Sequence, residues 1–99
     1  MKRLRVSEAA EQDLDDIWYF IAKNSGSVEI ADGVVKSITR TFTLFAHTPA
    51  AGTRRDEIEH GLRGFPVHKY IIYYRETEAH VVIARVLHGM RDQPSAYLT

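Results

Sequence analysis

Cationic side chains follow the most apolar segment of the chain, at the point where that segment ends. Residues 81–87 read Val-Val-Ile-Ala-Arg-Val-Leu, which predicts a strand buried over most of its length. Arg85 lies within this run, and His88 and Arg91 follow it. Gly89 lies between them and frees the backbone to turn sharply. We therefore expect the exit of this strand to present cations and to form a binding site.

Arg85 needs a separate explanation, because it lies in the middle of an apolar run. A charge buried without a partner is costly, so its side chain must either reach an open sheet face or pair with an acid. If Arg85 pairs with an acid, an acidic residue such as Glu57 or Glu59 is the expected partner. The acids of residues 8–16, Asp13 among them, are instead predicted to be solvated on the surface of a helix.

Tyrosines are interleaved with bases in a second segment, residues 69–75. Successive side chains of a strand point to opposite faces. The alternation places Tyr70, Ile72 and Tyr74 on one face and Lys69, Ile71, Tyr73 and Arg75 on the other. Aromatic and basic side chains together can stack on and pair with nucleic acid. Ordinary aromatic contacts between neighbouring strands explain the same residues more simply, and we favour that interpretation.

Other reactive groups are missing from the sequence or badly spaced. The sequence has no cysteine, which excludes disulfides and thiol chemistry, and no glycine-rich phosphate-binding loop. If His80 and His88 share one strand they are roughly 26 Å apart, at about 3.3 Å per residue, so a shared metal ion is not expected. We therefore predict no metal and no cofactor.

Net charge and hydropathy exclude some classes of binding partner. The 99 residues carry 13 basic and 13 acidic side chains. Zero net charge argues against bulk nucleic-acid binding, and no direct sequence-specific binding is expected. No apolar stretch approaches the ~20 residues of a membrane helix, and the N-terminus lacks the apolar core of a secretory signal. We expect a single domain over residues 1–99, in the cytoplasm and without a membrane partner.

The hydrophobic periodicity predicts a short strand followed by two helices. Residues 3–6 alternate as a strand does, and Ser7 is a suitable N-cap for the first helix. Apolar residues then recur at helical spacing as far as Gly26, which is predicted to be a left-handed cap. Ser27 starts a second helix that Pro49 ends, and the tight break between the two predicts a helical hairpin.

The second half of the chain reads as strands. Residues 48–61 are predicted to be a polar connection, with strands over 62–65, 67–75 and 80–87 and a hairpin turn at 76–79. The order is β-α-α-β-β-β. Helices grouped before a three-stranded antiparallel meander indicate an α+β fold, with the helices packed on one face of the sheet.

These elements and their motifs resemble the RelE/ParE toxin superfamily of type II toxin–antitoxin systems, and most closely its ParE branch. The resemblance spans nearly the full chain. The residues that carry it are Ser7-Glu8-Ala9-Ala10 with Asp13-Leu14 and Ile17, Pro49 to Arg55, Gly61-Leu62-Arg63, Tyr70 to Arg75, and Arg85 to Asp92. None of these motifs is specific by itself, but their order and spacing together are.

The resemblance implies two kinds of target. RelE-like members cut mRNA in the ribosome with basic residues on the sheet and a C-terminal tyrosine, whereas ParE-like members inhibit DNA gyrase and hydrolyse nothing. Arg91 and Tyr97 keep nuclease-like positions, but Tyr70 stands where a RelE-type nuclease is expected to place arginine, and the strand before it has one base, Arg63. Cleavage of a phosphodiester without a metal needs several cations. The set therefore favours a gyrase inhibitor that is not an enzyme and has no catalytic residue.

Two alternatives stay open. One is a ribosome-dependent mRNA endonuclease that uses Arg63, Arg85, Arg91 and Tyr97, and the other is a family member that only binds its antitoxin. In the favoured interpretation the target is gyrase. The residues expected to contact it are Arg63, Arg85, His88, Arg91 and Tyr97.

The resemblance also implies a ParD-type antitoxin that wraps the toxin in a hetero-oligomer. Both helices have apolar residues beyond a single stripe, and an exposed apolar patch commonly marks a partner site. A wider core is the alternative explanation for the same residues. The residues expected to contact the antitoxin are Leu14, Trp18, Tyr19, Ile30, Val34 and Leu44.

Overall fold

The chain forms a two-helix hairpin on one face of a five-stranded sheet. A computed structural model describes residues 1–90. The elements are β1 Arg3–Val6, α1 Glu8–Ser25, α2 Val28–His47, a 3-10 turn Pro49–Ala51, β2 Thr53–Arg54, β3 Leu62–Val67, β4 Tyr70–Glu76 and β5 His80–His88. The predicted α+β architecture and the order β-α-α-β-β-β are confirmed, with β2 as a short addition.

Both helices begin at the serines predicted to cap them. The Ser7 hydroxyl accepts a hydrogen bond from the Ala10 N–H at 3.0 Å, and the Ser27 hydroxyl accepts one from the Ile30 N–H at 3.1 Å. Gly26 closes α1 with a φ of 71°, in the left-handed region that glycine adopts without a Cβ clash. These local signals are enough to specify the hairpin, which is confirmed.

The sheet is mixed, with the strand order β1-β5-β4-β3-β2. The last three strands form the predicted antiparallel meander, whereas β1 runs parallel to β5, from Arg3 opposite His80 to Val6 opposite Ile83. The almost continuous apolar sequence of β5 follows from burial on both faces, because Val81, Ile83 and Val86 belong to one core cluster and Leu87 to another.

The main core lies between the hairpin and the sheet. Ile17 of α1 and Ile38 and Phe45 of α2 pack against the inner face of the strands. The Phe45 ring stacks on that of Tyr74, with centroids 3.9 Å apart and planes at 12°. Burying a side chain of this size contributes about 1.5–3 kcal/mol, so this layer fixes the hairpin to the sheet.

A smaller apolar cluster lies on the opposite face of the sheet. Leu62, Tyr73 and Leu87 are buried there and pack against Ile58 and Ile71. Tyr70, Ile72 and Tyr74 belong to the main core instead. The two-faced alternation predicted for residues 69–75 is therefore confirmed.

Two local predictions differ from the structure. The connection 48–61 contains the 3-10 turn and β2, which has no sequence signal because both of its residues are exposed and show no apolar alternation. The strand predicted over 67–75 is divided, since β3 ends at Val67 and β4 begins at Tyr70. Gly89 lies in a turn after β5, as predicted, and its N–H donates to the Lys69 carbonyl at 2.8 Å.

Candidate functional site

Arg85 forms a two-point ion pair with Asp13 of α1. Arg85 Nε donates to Oδ2 of Asp13 at 2.8 Å, and Nη2 donates to Oδ1 at 2.9 Å. Asp13 is 8% exposed, so the prediction that it is a solvated surface acid is wrong. The expectation that Glu57 or Glu59 pairs with Arg85 is also wrong. Arg85 therefore pairs with an acid, which was one of the two outcomes expected for it, the other being exposure on an open sheet face.

β5 has a β-bulge at Ala84, just past the end of β1, and its backbone needs hydrogen-bond partners there. Tyr73 lies opposite Arg85 and Tyr74 opposite Ile83, which leaves Ala84 as an extra residue. β1 ends opposite Ile83. Within residues 1–90, the edge of β5 therefore continues past its strand neighbour, with backbone groups that need other partners.

The start of α1 supplies those partners. The Ser7 hydroxyl donates to the Ala84 carbonyl at 2.8 Å, and Oδ2 of Asp13 accepts from the Val86 N–H at 2.9 Å. Asp13 thus binds both the guanidinium and the strand edge, which joins α1 to the bulge of β5. We call Asp13, Arg85 and the Val86 N–H the bulge anchor.

The two acids that had been expected near Arg85 pair with other arginines. Glu57 accepts from Arg55 Nε at 2.6 Å, and Glu59 accepts from Arg75 Nη1 at 3.2 Å. The hydrogen bond from Arg55 holds the pKa of the Glu57 carboxyl below its usual value. The Arg55 guanidinium also lies 5.9 Å from the centroid of the Tyr73 ring, over the outer face of the sheet.

Arg63 is held by a backbone carbonyl on a different part of the fold. Its Nη1 donates to the Gly52 carbonyl at 2.8 Å, and its side chain is half-buried. The strand register places Arg63 opposite Tyr74, on the far side of β4 from Arg85. The structure thus holds the two arginines at separate contacts and not around one common acceptor.

The buried hydroxyl of Tyr74 links the segment from Pro49 to Gly52 to the sheet. The oxygen accepts from the Gly52 N–H at 2.7 Å and donates to the Pro49 carbonyl at 2.8 Å. A Cβ on Gly52 would lie 2.8 Å from the Tyr74 ring, so this approach requires glycine. Burial raises the pKa of the Tyr74 phenol. We call Tyr74, Gly52 and Pro49 the loop anchor.

His88 lies at the exit of β5, as predicted, beside an open groove. Its ring meets that of Tyr70 edge-on, with centroids 5.4 Å apart. The groove has a volume of about 660 Å³ and lies between the hairpin and the β3–β4 turn. The residues that line it are Phe20, Ile21, Val34, His68, Lys69, Tyr70 and His88. Apolar side chains of the helices and cationic or titratable side chains of the sheet therefore face one space.

The candidate antitoxin contacts fall into two groups. Tyr19 is 64% exposed, Ile30 53% and Leu44 39%, so these side chains are accessible. Leu14 and Val34 are partly buried against the main core. Trp18 is half-buried and its indole N–H donates to Asp32 of α2 at 2.7 Å. Exposed apolar surface and inter-helix packing are thus mixed on the hairpin, and the assignment of this surface to the antitoxin stays a prediction.

Two of the candidate target contacts, Arg91 and Tyr97, lie outside the described residues. Within residues 1–90, no cluster of three or more histidines and carboxylates could hold a metal ion. In that same part of the chain, neither helix is apolar enough over its length to cross a bilayer.

Asp13 is a site residue that was not predicted from the sequence. One signal pointed to it: an arginine inside an apolar strand requires an acid, and helix α1 carries five acids in residues 8–16. Ala10, Asp13 and Ile17 are its three buried residues, and their spacing of three and four places Asp13 on the inner stripe of the helix. Its position on this stripe distinguishes Asp13 from the other acids of residues 8–16, which are exposed.

Comparison with known proteins agrees with this fold and these motifs. The family described as "ParE toxin of type II toxin-antitoxin system, parDE" matches residues 4–93. Toxin ParE1 of Caulobacter vibrioides is 32% identical over 88 residues, which are 89% of this chain and 90% of the relative. Toxin ParE3 of the same organism is 30% identical over 90% of this chain and 88% of its own length.

A solved structure supports the architecture independently. A chain from the chromosomal ParDE toxin–antitoxin system of P. aeruginosa superposes with a TM-score of 0.78. The match covers 89% of this chain and 96% of that chain, at 21% identity. At that identity the likeness concerns the fold alone.

Proposed function

The chain belongs to the ParE toxin family of type II toxin–antitoxin systems, and we propose that it inhibits DNA gyrase in the cytoplasm, cleaves no substrate and is neutralised by a ParD-type antitoxin. The observation that carries this proposal is the family match over residues 4–93. It rests further on the resemblance to the ParE branch, whose members inhibit gyrase.

The arrangement of the cations supports inhibition without hydrolysis. Cleavage of a phosphodiester without a metal requires cations that converge on the developing negative charge. Arg85 is paired with Asp13, and Arg63 is bound to the Gly52 carbonyl. Each of these two cations is thus committed to a structural contact. Tyr70, buried in the main core, occupies the position at which the nuclease branch would have arginine.

The hairpin and the groove beside it support antitoxin binding. Tyr19, Phe20, Val28 and Ile30 are exposed near the turn between the helices. An exposed apolar surface next to an open groove suits a partner segment that folds as it binds. Such a segment would bury apolar area on the toxin that the monomer leaves in water.

Purified toxin tests the target directly in two assays. We expect it to inhibit supercoiling by gyrase and to leave mRNA intact in a translation extract, because Arg63 and Arg85, the two candidate arginines within residues 1–90, do not converge on one acceptor. Codon-positioned mRNA cleavage with normal supercoiling would instead establish the nuclease alternative. Loss of both effects, with antitoxin binding retained, would identify a non-toxic family member.

The candidate target contacts are tested by a matched pair of variants. Arg91→Ala, or deletion of residues 94–99, should abolish growth inhibition while leaving folding and antitoxin binding intact. Arg40→Ala removes an exposed arginine from α2 and serves as the control for a generic loss of charge. Both substitutions should change stability by less than about 0.5 kcal/mol, which thermal melts can verify. Full toxicity of the folded Arg91 variant would place the target contact elsewhere, on the hairpin.

A further inference from the structure

The outer edge of β1 displays backbone groups that no described residue pairs. The Arg3 N–H donates to the Ala79 carbonyl and the Ser7 N–H to the Ile83 carbonyl, each at 3.0 Å, so the odd residues of this strand face β5. The even residues face away, and the Lys2 N–H reaches the end of α2. Leu4 and Val6 therefore direct their backbone N–H groups outward. Among residues 1–90, nothing pairs with them on that side.

The side chains of this edge have two distinct chemistries. Leu4 lies opposite Val81 of the main core, and is 41% exposed on the hairpin side of the sheet. Arg3 and Arg5 alternate with it and point to the other face. Both arginines are exposed, and neither has an acidic partner within the described part of the chain. The edge of β1 thus presents Leu4 on the hairpin side of the sheet and Arg3 and Arg5 on the opposite side.

We propose that β1 is a docking edge for an extended, acidic segment of the antitoxin, which adds a sixth strand to the sheet beside β1. This proposal rests on the proposed function, because it names where part of the antitoxin binds. A row of outward N–H and C=O groups is complemented by another peptide backbone, and not by a nucleic acid. The arginines select the side chains of that peptide, since carboxylates opposite Arg3 and Arg5 would form cross-strand ion pairs.

The same charges argue against a second copy of the chain as the occupant. If two β1 strands paired antiparallel about Leu4, the Arg3 of each copy would lie opposite the Arg5 of the other, because both arginines lie on one face of the strand. Like charges directly opposite one another destabilise a strand pair. The partner strand should therefore alternate acidic residues, over Arg3 and Arg5, with an apolar residue beside Leu4.

Substitutions at Leu4 separate the backbone from the side chain. Leu4→Pro removes the outward N–H without touching the pairing of β1 with β5, since proline is tolerated on an edge strand when its nitrogen faces solvent. Leu4→Ala keeps the N–H and removes most of the side chain. With the antitoxin co-purified as a complex, Leu4→Pro should weaken binding about tenfold, the effect of one lost hydrogen bond, and Leu4→Ala much less.

Charge reversal and hydrogen exchange complete the test. The double variant Arg3→Glu/Arg5→Glu should weaken the complex, most strongly at low salt. The Leu4 and Val6 amides should exchange slowly in the wild-type complex and quickly in the free toxin. A complex that protects the hairpin but leaves both amides fast would overturn the docking edge and leave the proposed function standing. If no antitoxin bound the toxin at all, both proposals would fall.

Discussion

The bulge anchor and the loop anchor solve the same problem with different chemistry. Each fastens a connecting element to the sheet through a buried polar group, α1 through Asp13 and the 3-10 turn through Tyr74. In the bulge anchor a charged pair binds the part of the β5 edge that lies past the end of β1. In the loop anchor a neutral phenol both donates and accepts.

This difference in chemistry explains why the sequence indicated that Arg85 needs a partner but gave no sign of the hydrogen bonds of Tyr74. An arginine inside an apolar run points to a paired charge, whereas a tyrosine among aromatic strand residues does not reveal from the sequence alone that its hydroxyl is buried and bonded. The difference also predicts that substitutions in the two anchors lower the free energy of unfolding by different amounts, because losing the partner of a buried charge destabilises more than losing the partner of a neutral group. Both anchors contain or contact an arginine that the sequence nominated for target binding, so stability and toxicity have to be measured together.

The largest effect is expected from Asp13→Ala. It removes the carboxylate that accepts from Arg85 Nε and Nη2 and from the Val86 N–H, at a cost of about 3–5 kcal/mol in the free energy of unfolding. Urea denaturation measures this directly. The double variant Asp13→Ala/Arg85→Met should recover part of the loss, since it also removes the charge that Asp13 neutralises. A double variant less stable than the single one would contradict the charged-anchor interpretation.

Tyr74→Phe should have the next largest effect. It keeps the ring stacked on Phe45 but leaves the Gly52 N–H and the Pro49 carbonyl unpaired, which costs about 1–3 kcal/mol. Tyr19→Phe is the matched control, because that side chain is 64% exposed and its substitution should change stability by less than about 0.5 kcal/mol. Equal melting curves for the two variants would mean that the loop anchor contributes nothing.

The pH dependence of the loop anchor follows from the raised pKa of Tyr74. In the unfolded chain a tyrosine ionises near 10.0, whereas in the folded state burial raises its pKa above that value. The folded state therefore keeps the proton longer, and the stabilisation is full below pH 10 and declines as the pH rises through the folded pKa. The stability difference between wild type and Tyr74→Phe should accordingly shrink above pH 10 in urea melts. A constant difference would place the phenol in water.

Arg63→Met should have the smallest effect on stability, about 0.5–1 kcal/mol, because the half-buried guanidinium gives up one carbonyl contact that water can partly replace. Growth inhibition by the same variant carries the functional information. If toxicity is lost while the melting temperature barely moves, Arg63 belongs to the target surface. If both stay near wild type, its role is limited to the loop that contains Gly52.

The local signals of the fold could be read from the sequence. Ser7 and Ser27 cap helices, Gly26 ends one, and the alternation of residues 69–75 distributes side chains to two faces. These predictions succeeded because each depends on residues a few positions apart. β2 could not be found in this way, since two exposed residues have no periodicity and exist as a strand only through their pairing with β3.

The contacts of the candidate site were harder to predict from the sequence, because they join residues far apart in the chain. The sequence by itself determined that the chain forms an α+β toxin-like domain, that Arg85 needs a partner and that His88 ends the apolar run of β5. Only the tertiary structure decided which acid pairs with Arg85, which carbonyl holds Arg63 and which edge of β1 has no strand beside it within residues 1–90. Those contacts join groups as many as 73 positions apart, and their geometry follows from strand register and the length of β1. No local pattern encodes where one strand ends beside another.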